Sequence, residues 1–180
     1  LADHAFDDPD WLFEVKWDGF RAVATIRGGD VDLRSRNDKS FVDRFPTVVR
    51  ALERSLRTPD CVLDGEVVAV GSDGRATFSA MQQGKEGTTY VYIAFDVLEV
   101  EGEPLVDLPL AERRERLAAL VDLRPGGVQL SEPFDDGAVL YEAAQKQHFE
   151  GIMAKRADSR YEPGRRSRNW LKIKTHGQQE

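Results

Sequence analysis

The stretch Trp11–Arg21, WLFEVKWDGFR, sets the expectation for the fold. Its first six residues alternate between bulky apolar side chains and a second set that ends in Glu14 and Lys16. This period of two predicts a half-buried strand with Glu14 and Lys16 on one face. Asp18-Gly19 then predicts a tight turn into a second strand, so Lys16 is expected just before a turn in a meander.

Further along the chain, apolar periodicity and turn residues predict more strands and several helices. A hairpin through Gly28-Gly29-Asp30 is expected to join strands at 20–27 and 31–35. Other strands are predicted at 62–70, 90–100, 152–155 and 170–174, and helices at 44–56, 110–121 and 137–147, the last capped by Asp135 or Asp136. Together these elements predict an α+β fold of mainly antiparallel sheets flanked by helices.

The composition is that of a folded, acidic chain. A length of 180 residues suits one domain, residues 1–180, and 41% hydrophobic residues suffice for a sizeable core. The net charge of −7, taken alone, argues against a nucleic-acid partner. Between Lys146 and Lys174, however, nine basic residues stand against three acidic ones. Phosphate binding responds to the local positive potential that such a segment creates. A basic stripe that only faces solvent would give the same sequence pattern.

The single cysteine, Cys61, excludes an internal disulfide and a cysteine-based zinc site. It begins an apolar run, which favours a buried position. The sequence contains neither an apolar run of transmembrane length nor a signal peptide, which predicts a cytoplasmic protein. The three histidines lack metal-ligand spacing and are interpreted as incidental.

Four short motifs occur in a fixed order: KWDGFR at 16–21, LDGE at 63–66, EGIMAK at 150–155 and WLKIK at 170–174. Each alone is weak, but together they resemble the covalent nucleotidyltransferases, and within these the adenylation domain of ATP-dependent DNA ligases. The flanking text FEVKWDGFRA, SRND, TFSAMQ, AFDVL and SRYEPGRRSRNWLKIK is similar to the ligase domain of bacterial end-joining ligases. The resemblance covers nearly the whole chain and implies a role in DNA repair and recombination.

The resemblance implies that Lys16 attacks the α-phosphorus of ATP, displaces pyrophosphate and holds AMP as a phosphoramidate. A lysine amine has an ordinary pKa near ~10.4, so it needs desolvation or neighbouring cations to become a nucleophile. Lys172 and Lys174, two apart on one strand face, are candidates for that effect and are implied to contact the α-phosphate. An amphipathic edge strand would show the same alternation. The resemblance implies two later steps on DNA, which are transfer of AMP to the 5′-phosphate of a nick and attack by the 3′-hydroxyl with release of AMP. Asp18 is assigned to these steps.

The resemblance also implies the other nucleotide contacts. Carboxylates suit sugar hydroxyls and divalent cations, so Glu66 is implied to contact the ribose and Glu150 to bind Mg²⁺ or Mn²⁺, with Glu66 as a second candidate ligand. Phe95 and Met153 are implied to hold the adenine between them, although an aromatic residue in such a strand is more often core. The remaining implied contacts are Glu14 at the adenine edge, Arg21 and Arg36 at phosphate or ribose oxygens, and Lys155 near the phosphates.

The arginines of the loop before WLKIK, which are Arg160, Arg165, Arg166 and Arg168, are predicted to contact the DNA backbone. The expected partners are nicked or broken duplex DNA, a C-terminal OB-fold domain of the same protein, and polymerase, nuclease and end-binding proteins. We expect a bacterial monomer that makes no membrane contact and associates with the nucleoid when acting. Because these 180 residues leave no room for the OB-fold domain, slow self-adenylation and weak nick sealing are expected.

Other functions remain open at this stage. An RNA ligase or a GTP-using capping enzyme would share the motifs and differ in nucleotide preference. A nucleotide- or DNA-binding module without turnover is a second alternative, against which the retention of Lys16, Glu66, Glu150, Lys172 and Lys174 argues. NAD-dependent ligases are disfavoured because one cysteine cannot build their four-cysteine zinc module. A purely structural α+β domain would require all these motifs by accident.

Overall fold

The computed structural model describes residues 4–71, 88–124, 126–164 and 167–175. Within these residues the strands are β1 Trp11–Val15, β2 Phe20–Arg27, β3 Asp30–Ser35, β4 Cys61–Val70, β5 Thr89–Val100, β6 Glu103–Pro104, β7 Gln129–Leu130, β8 Gly151–Arg156 and β9 Trp170–Lys174. The helices are α1 Pro46–Ser55, α2 Leu110–Leu120 and α3 Gly137–Lys146. None of the described helices is long and apolar enough to cross a membrane.

The strands form two separate sheets in two compact units of the chain. The first unit combines the described residues of 1–17, 107–111 and 131–180, and its antiparallel sheet has the order β1-β8-β9. The second unit combines those of 18–106 and 112–130, and its sheet has the order β3-β2-β4-β5-β6, with β7 parallel to β5. The predicted α+β class with mainly antiparallel sheets is confirmed, whereas the single domain over 1–180 stays a prediction.

The predicted meander through Lys16 is wrong, because β1 pairs with β8 and not with β2. The hairpin between β2 and β3 is confirmed, and Gly28 and Gly29 both have positive φ angles there. The residues Asp18-Gly19 indicate a turn in the chain. They do not indicate which strand pairs with β1.

The core of the first unit lies on one face of its sheet, against α3. Phe13, Ile152 and Ile173 come from the three strands, and Leu140 and Ala144 come from α3. The helix begins where predicted, since the side chain of Asp136 accepts a hydrogen bond from the Val139 amide at 2.9 Å. Alternation therefore leaves the opposite face of the sheet to Glu14 and its neighbours.

The second unit is built around the long β4–β5 pair, which is irregular near its centre. Asp64 pairs with Asp96 but Gly65 pairs with Ala94, so Phe95 is an extra residue in a bulge. A Cβ atom at Gly65 would lie 2.5 Å from the Ile93 carbonyl oxygen and 2.6 Å from Cζ of Tyr92. Only glycine fits this position without a shift of β5, which explains the glycine of the LDGE motif.

The buried thiol of Cys61 gives a test of the second unit. Burial raises the pKa of the Cys61 thiol to about 11, and Asp60 and Glu99 add to this effect. The thiolate, which is the reactive form, is therefore suppressed at pH 8. We expect no reaction of the folded protein with Ellman's reagent at that pH and stoichiometric reaction in concentrated urea. Rapid labelling of the native protein would contradict the buried position.

Candidate functional site

Lys16 lies directly after β1, at the edge of the first unit's sheet. Its backbone amide donates to the Gly151 carbonyl at 3.0 Å, which extends the β1–β8 pairing by one residue. A Cβ atom at Gly151 would overlap the backbone of Ile173 on β9. The Glu-Gly pair of EGIMAK thus lets β9 approach β8 closely and places Glu150 beside Lys16.

Glu150 holds two lysines on one carboxylate. Its Oε2 accepts a hydrogen bond from Nζ of Lys16, and its Oε1 accepts one from Nζ of Lys172. All three side chains are half-buried, with exposed fractions of 21% for Lys16, 17% for Glu150 and 28% for Lys172. Two ammonium groups therefore converge on one point, as binding of a phosphate would require.

Two opposed effects determine the ionisation of Glu150. Burial alone would raise the pKa of the carboxyl group, but the hydrogen bonds and charges of Lys16 and Lys172 outweigh it and lower the pKa below its ordinary value. The folded protein thus holds Glu150 as a carboxylate more strongly than the unfolded chain does. The cluster stabilises the fold above the ordinary pKa, and this contribution is lost as pH falls through the lowered value.

This sign predicts a pH-dependent difference between the wild type and Glu150→Gln. We expect the wild type to be the more stable of the two near neutral pH. The difference should shrink as the pH is lowered through the ordinary pKa of a glutamate and then through the lowered one, because protonation removes the charge that glutamine already lacks. Urea unfolding at several pH values measures it. A difference that stays constant over this range would contradict the lysine contacts of Glu150.

A second ion pair lies on the same face of the sheet and is more deeply buried. Oε2 of Glu14 accepts from Nζ of Lys155 at 2.9 Å, and both side chains are at most 3% exposed. Nζ of Lys155 also lies 4.2 Å from the centre of the Trp170 ring. Register places Met153 between Glu14 and Lys172 in one cross-strand row. The structure therefore brings together Glu14, Lys16, Glu150, Met153, Lys155 and Lys172.

The predicted nucleotide residues of the second unit gather around Arg21. Its Nε and Nη2 donate to the two carboxylate oxygens of Asp64 at 3.2 and 2.7 Å. Its Cζ lies 5.7 Å from the ring centre of Phe95, which is buried. Glu66 lies opposite Arg21 in the β2–β4 register and is half-buried. Phe95 is thus held beside a guanidinium group and inside a bulge.

The remaining predicted residues are more exposed or lie outside the described part. Asp18 is half-buried in the second unit, and Arg36 is exposed in the turn after β3. Lys174 is exposed at the end of β9. Among the predicted DNA contacts, Arg160 and Arg168 are exposed, and Arg160 lies 3.6 Å from a carboxylate oxygen of Asp107. Arg165 and Arg166 lie outside the described residues.

The family model for the ATP dependent DNA ligase domain matches residues 3–174. This chain belongs to that family. The ligase domain is 37% identical over 171 residues to the multifunctional non-homologous end joining protein LigD of Mycolicibacterium smegmatis, with 94% of this chain and 22% of the relative covered. It therefore spans about a fifth of the length of that relative.

Solved structures agree with this assignment. The ligase domain of Mycobacterium tuberculosis LigD matches with a TM-score of 0.80 and 37% identity, covering 93% of this chain and 54% of the other. A mycobacterial DNA ligase D complexed with ATP and MES matches with a TM-score of 0.78 and 34% identity, over 93% and 55% of the two chains. The predicted resemblance to an end-joining ligase adenylation domain is confirmed.

Few carboxylates in the described part of this chain are placed where they could hold a divalent cation. Among the described residues no three His, Cys, Asp or Glu side chains lie close enough together to hold a metal ion. Mg²⁺ keeps much of its water and takes one or two carboxylates together with substrate phosphates, so Glu150 alone fits this mode. Glu66 belongs to the second unit. Both metal assignments stay predictions.

The ligase domain contains buried polar residues that were not predicted from its sequence. Ser131 is buried and donates from Oγ to Oε2 of Glu14 at 3.0 Å, and Asp64 binds Arg21. Arg113 and Asp96 form a fully buried ion pair in the second unit. An acid inside an apolar strand requires a buried partner, so Asp64 and Asp96 carried a usable signal. Ser131 belongs to no motif and carried none.

Proposed function

We propose that this chain transfers AMP from ATP to its own Lys16 as the first step in sealing DNA strands. The observation that supports it best is the shared carboxylate of Glu150, which holds the ammonium groups of Lys16 and Lys172 at one site. A carboxylate can hold both groups in place until the triphosphate of the nucleotide offers them a second anion. Membership in the ATP-dependent ligase family makes ATP the expected nucleotide.

The proposed reaction forms a bond between nitrogen and phosphorus and breaks one between phosphorus and oxygen. As an ammonium group bound to Glu150, Lys16 has no lone pair for attack, so it must first lose a proton to solvent. The neutral amine then attacks the α-phosphorus, pyrophosphate leaves with the bonding electron pair, and the second amine proton passes to solvent. The product is a phosphoramidate between Nζ of Lys16 and AMP.

The other residues of this site bind and orient. Lys172 stabilises the charge that develops on the α-phosphate, and Lys174 on the same strand adds to the local positive potential. Glu14 and Met153 line the same face and suit the adenine, while Lys155 neutralises Glu14. In the second unit, Phe95, Arg21, Arg36 and Glu66 are proposed to contact the adenine, the phosphates and the ribose. A divalent cation on Glu150 would neutralise phosphate charge.

The later steps are proposed for the whole protein. AMP would pass from Lys16 to the 5′-phosphate of a broken strand, with help from Asp18, and the 3′-hydroxyl would then displace AMP. Arg160, Arg165, Arg166 and Arg168 are proposed to bind the DNA backbone. Because LigD of M. smegmatis is far longer than this chain, an OB-fold domain and polymerase and nuclease modules in the same protein are part of the proposal.

Labelling with two forms of ATP tests the proposal. With Mg²⁺ present, we expect the chain to become labelled from [α-³²P]ATP and not from [γ-³²P]ATP, and pyrophosphate should remove the label. GTP and NAD should not compete at equal concentration. The labelled protein should pass AMP to nicked duplex DNA with a 5′-phosphate and not to the equivalent RNA.

Each contrary outcome identifies an alternative. Label from GTP would favour a capping-type enzyme, and discharge onto RNA would favour an RNA ligase. The reaction is repeated with a LigD OB-fold domain added, because that domain is expected to accelerate it. If ATP binds and no label forms even then, the chain is a binding module and the proposal is wrong.

A further inference from the structure

We infer that Ser131 positions Lys16 for reaction, acting through the side chain of Trp17. The inference rests on the proposed role of Lys16 as the nucleophile. It concerns a residue that belongs to no motif and that acts on Lys16 through a neighbouring side chain.

The position of Lys16 depends on how the chain is held where it leaves β1. The amide of Lys16 is fixed by the Gly151 carbonyl, but Trp17 is the first residue after this pairing and lies outside the strands. A nucleophile at the end of a strand needs a second anchor, since a displacement of 1 Å at a reacting group can reduce a rate about a hundredfold.

The side chain of Trp17 supplies that anchor through two contacts. Its indole Nε1 donates to Oγ of Ser131 at 2.9 Å. Its ring meets the ring of Phe149 edge to face, with 6.0 Å between the centres and 80° between the planes. Phe149 directly precedes Glu150 in the chain, so the ring of Trp17 packs against the neighbour of the residue that holds Lys16.

Ser131 in turn binds a rigid group. Its Oγ donates to Oε2 of Glu14, and the same oxygen accepts from Nζ of Lys155. The ion pair is almost fully buried and Ser131 is fully buried, so the hydroxyl has little freedom to move. A hydroxyl both accepts and donates, which links the indole to the carboxylate in one chain of hydrogen bonds. Alanine at this position would break both links.

Single and double variants separate this role from a structural one. Ser131→Ala and Trp17→Phe should each lower the rate of AMP incorporation at saturating ATP by about tenfold to a hundredfold, while the KM for ATP changes less than about twofold. The double variant should be no slower than the slower single variant, because both changes remove the same hydrogen bond between Trp17 and Ser131. Multiplied effects, or a raised KM with an unchanged maximal rate, would overturn the inference and indicate an effect through Glu14.

Ser55→Ala is the matched control. Ser55 is also a buried serine, and its Oγ accepts from the Val128 amide in the second unit. The control should lose thermal stability comparably and keep its maximal rate. Equal rate losses in Ser55→Ala and Ser131→Ala, measured well below both melting temperatures, would mean that general destabilisation explains the effect.

A spectroscopic measurement decides the inference without turnover. After reductive ¹³C-methylation, the resonance of dimethylated Lys16, assigned with Lys16→Arg, should shift in Ser131→Ala and in Trp17→Phe, while that of the exposed Lys146 stays in place. An unmoved Lys16 resonance would overturn the inference even if the wild type incorporates AMP. A wild type that forms no adduct, with a shifted resonance in Ser131→Ala, would refute the proposed function and support the link to Ser131.

Discussion

Lys16→Ala is expected to abolish AMP incorporation, with a loss of at least about 10⁴-fold relative to the wild type, because no other group can replace a covalent nucleophile. Lys16→Arg should lose as much, although it keeps a cation beside Glu150. The assay follows label from [α-³²P]ATP on the protein over time. Both variants should remain folded, since the pair with Glu150 is partly exposed and worth about 1 kcal/mol or less.

The control for this prediction is Lys146→Ala. Lys146 ends α3, is exposed and belongs to the same unit as Lys16. Its loss should leave the labelling rate unchanged. If Lys16→Arg kept a tenth or more of the wild-type rate, another residue would have to carry AMP.

Arg113→Ala is expected to lower the free energy of unfolding by about 3–5 kcal/mol, the largest stability effect that we predict. The guanidinium group donates to both oxygens of Asp96 at 2.8 and 3.0 Å, and neither side chain is exposed. Removal of the cation would leave a buried carboxylate without its charge partner. Because natural domains are stable by only about 5–15 kcal/mol, a large part of the protein should unfold at moderate temperature.

Two comparisons test that explanation. Replacing both partners, Arg113→Met with Asp96→Asn, should restore much of the stability because no charge stays buried. Arg21→Ala should cost less than Arg113→Ala, since the side chain of Arg21 is 40% exposed whereas that of Arg113 is fully buried. Urea unfolding measures all three variants. A loss below about 1 kcal/mol for Arg113→Ala would contradict the buried pair.

The local structure of this chain could be predicted from its sequence. Alternation in β1 and β9 correctly separated the core face from the face that carries Glu14, Lys16 and Lys172. The cap at Asp136 and the glycine turn after β2 were equally local signals. Each depends on neighbouring residues, whose geometry is fixed by the backbone.

The pairing of the strands could not be predicted in the same way. Lys16 and Glu150 are 134 residues apart, and no periodicity states that β1 joins β8. Only the resemblance of the motifs to those of the ligase family predicted that Lys16 and Glu150 belong to one site. Similarly, Arg113 shares the helix face of the buried Leu110, Leu117 and Leu120, a pattern that shows burial of its side chain but does not identify Asp96 as its partner.

Identifying the residue that carries AMP would test the central claim most directly. The protein is incubated with ATP and Mg²⁺, digested near neutral pH because phosphoramidates are labile in acid, and sequenced by tandem mass spectrometry. The account predicts one AMP group on the peptide that contains Lys16, assigned to Lys16 itself, and none after treatment with pyrophosphate. AMP on Lys172, Lys174 or any other residue, with Lys16 unmodified, would contradict it.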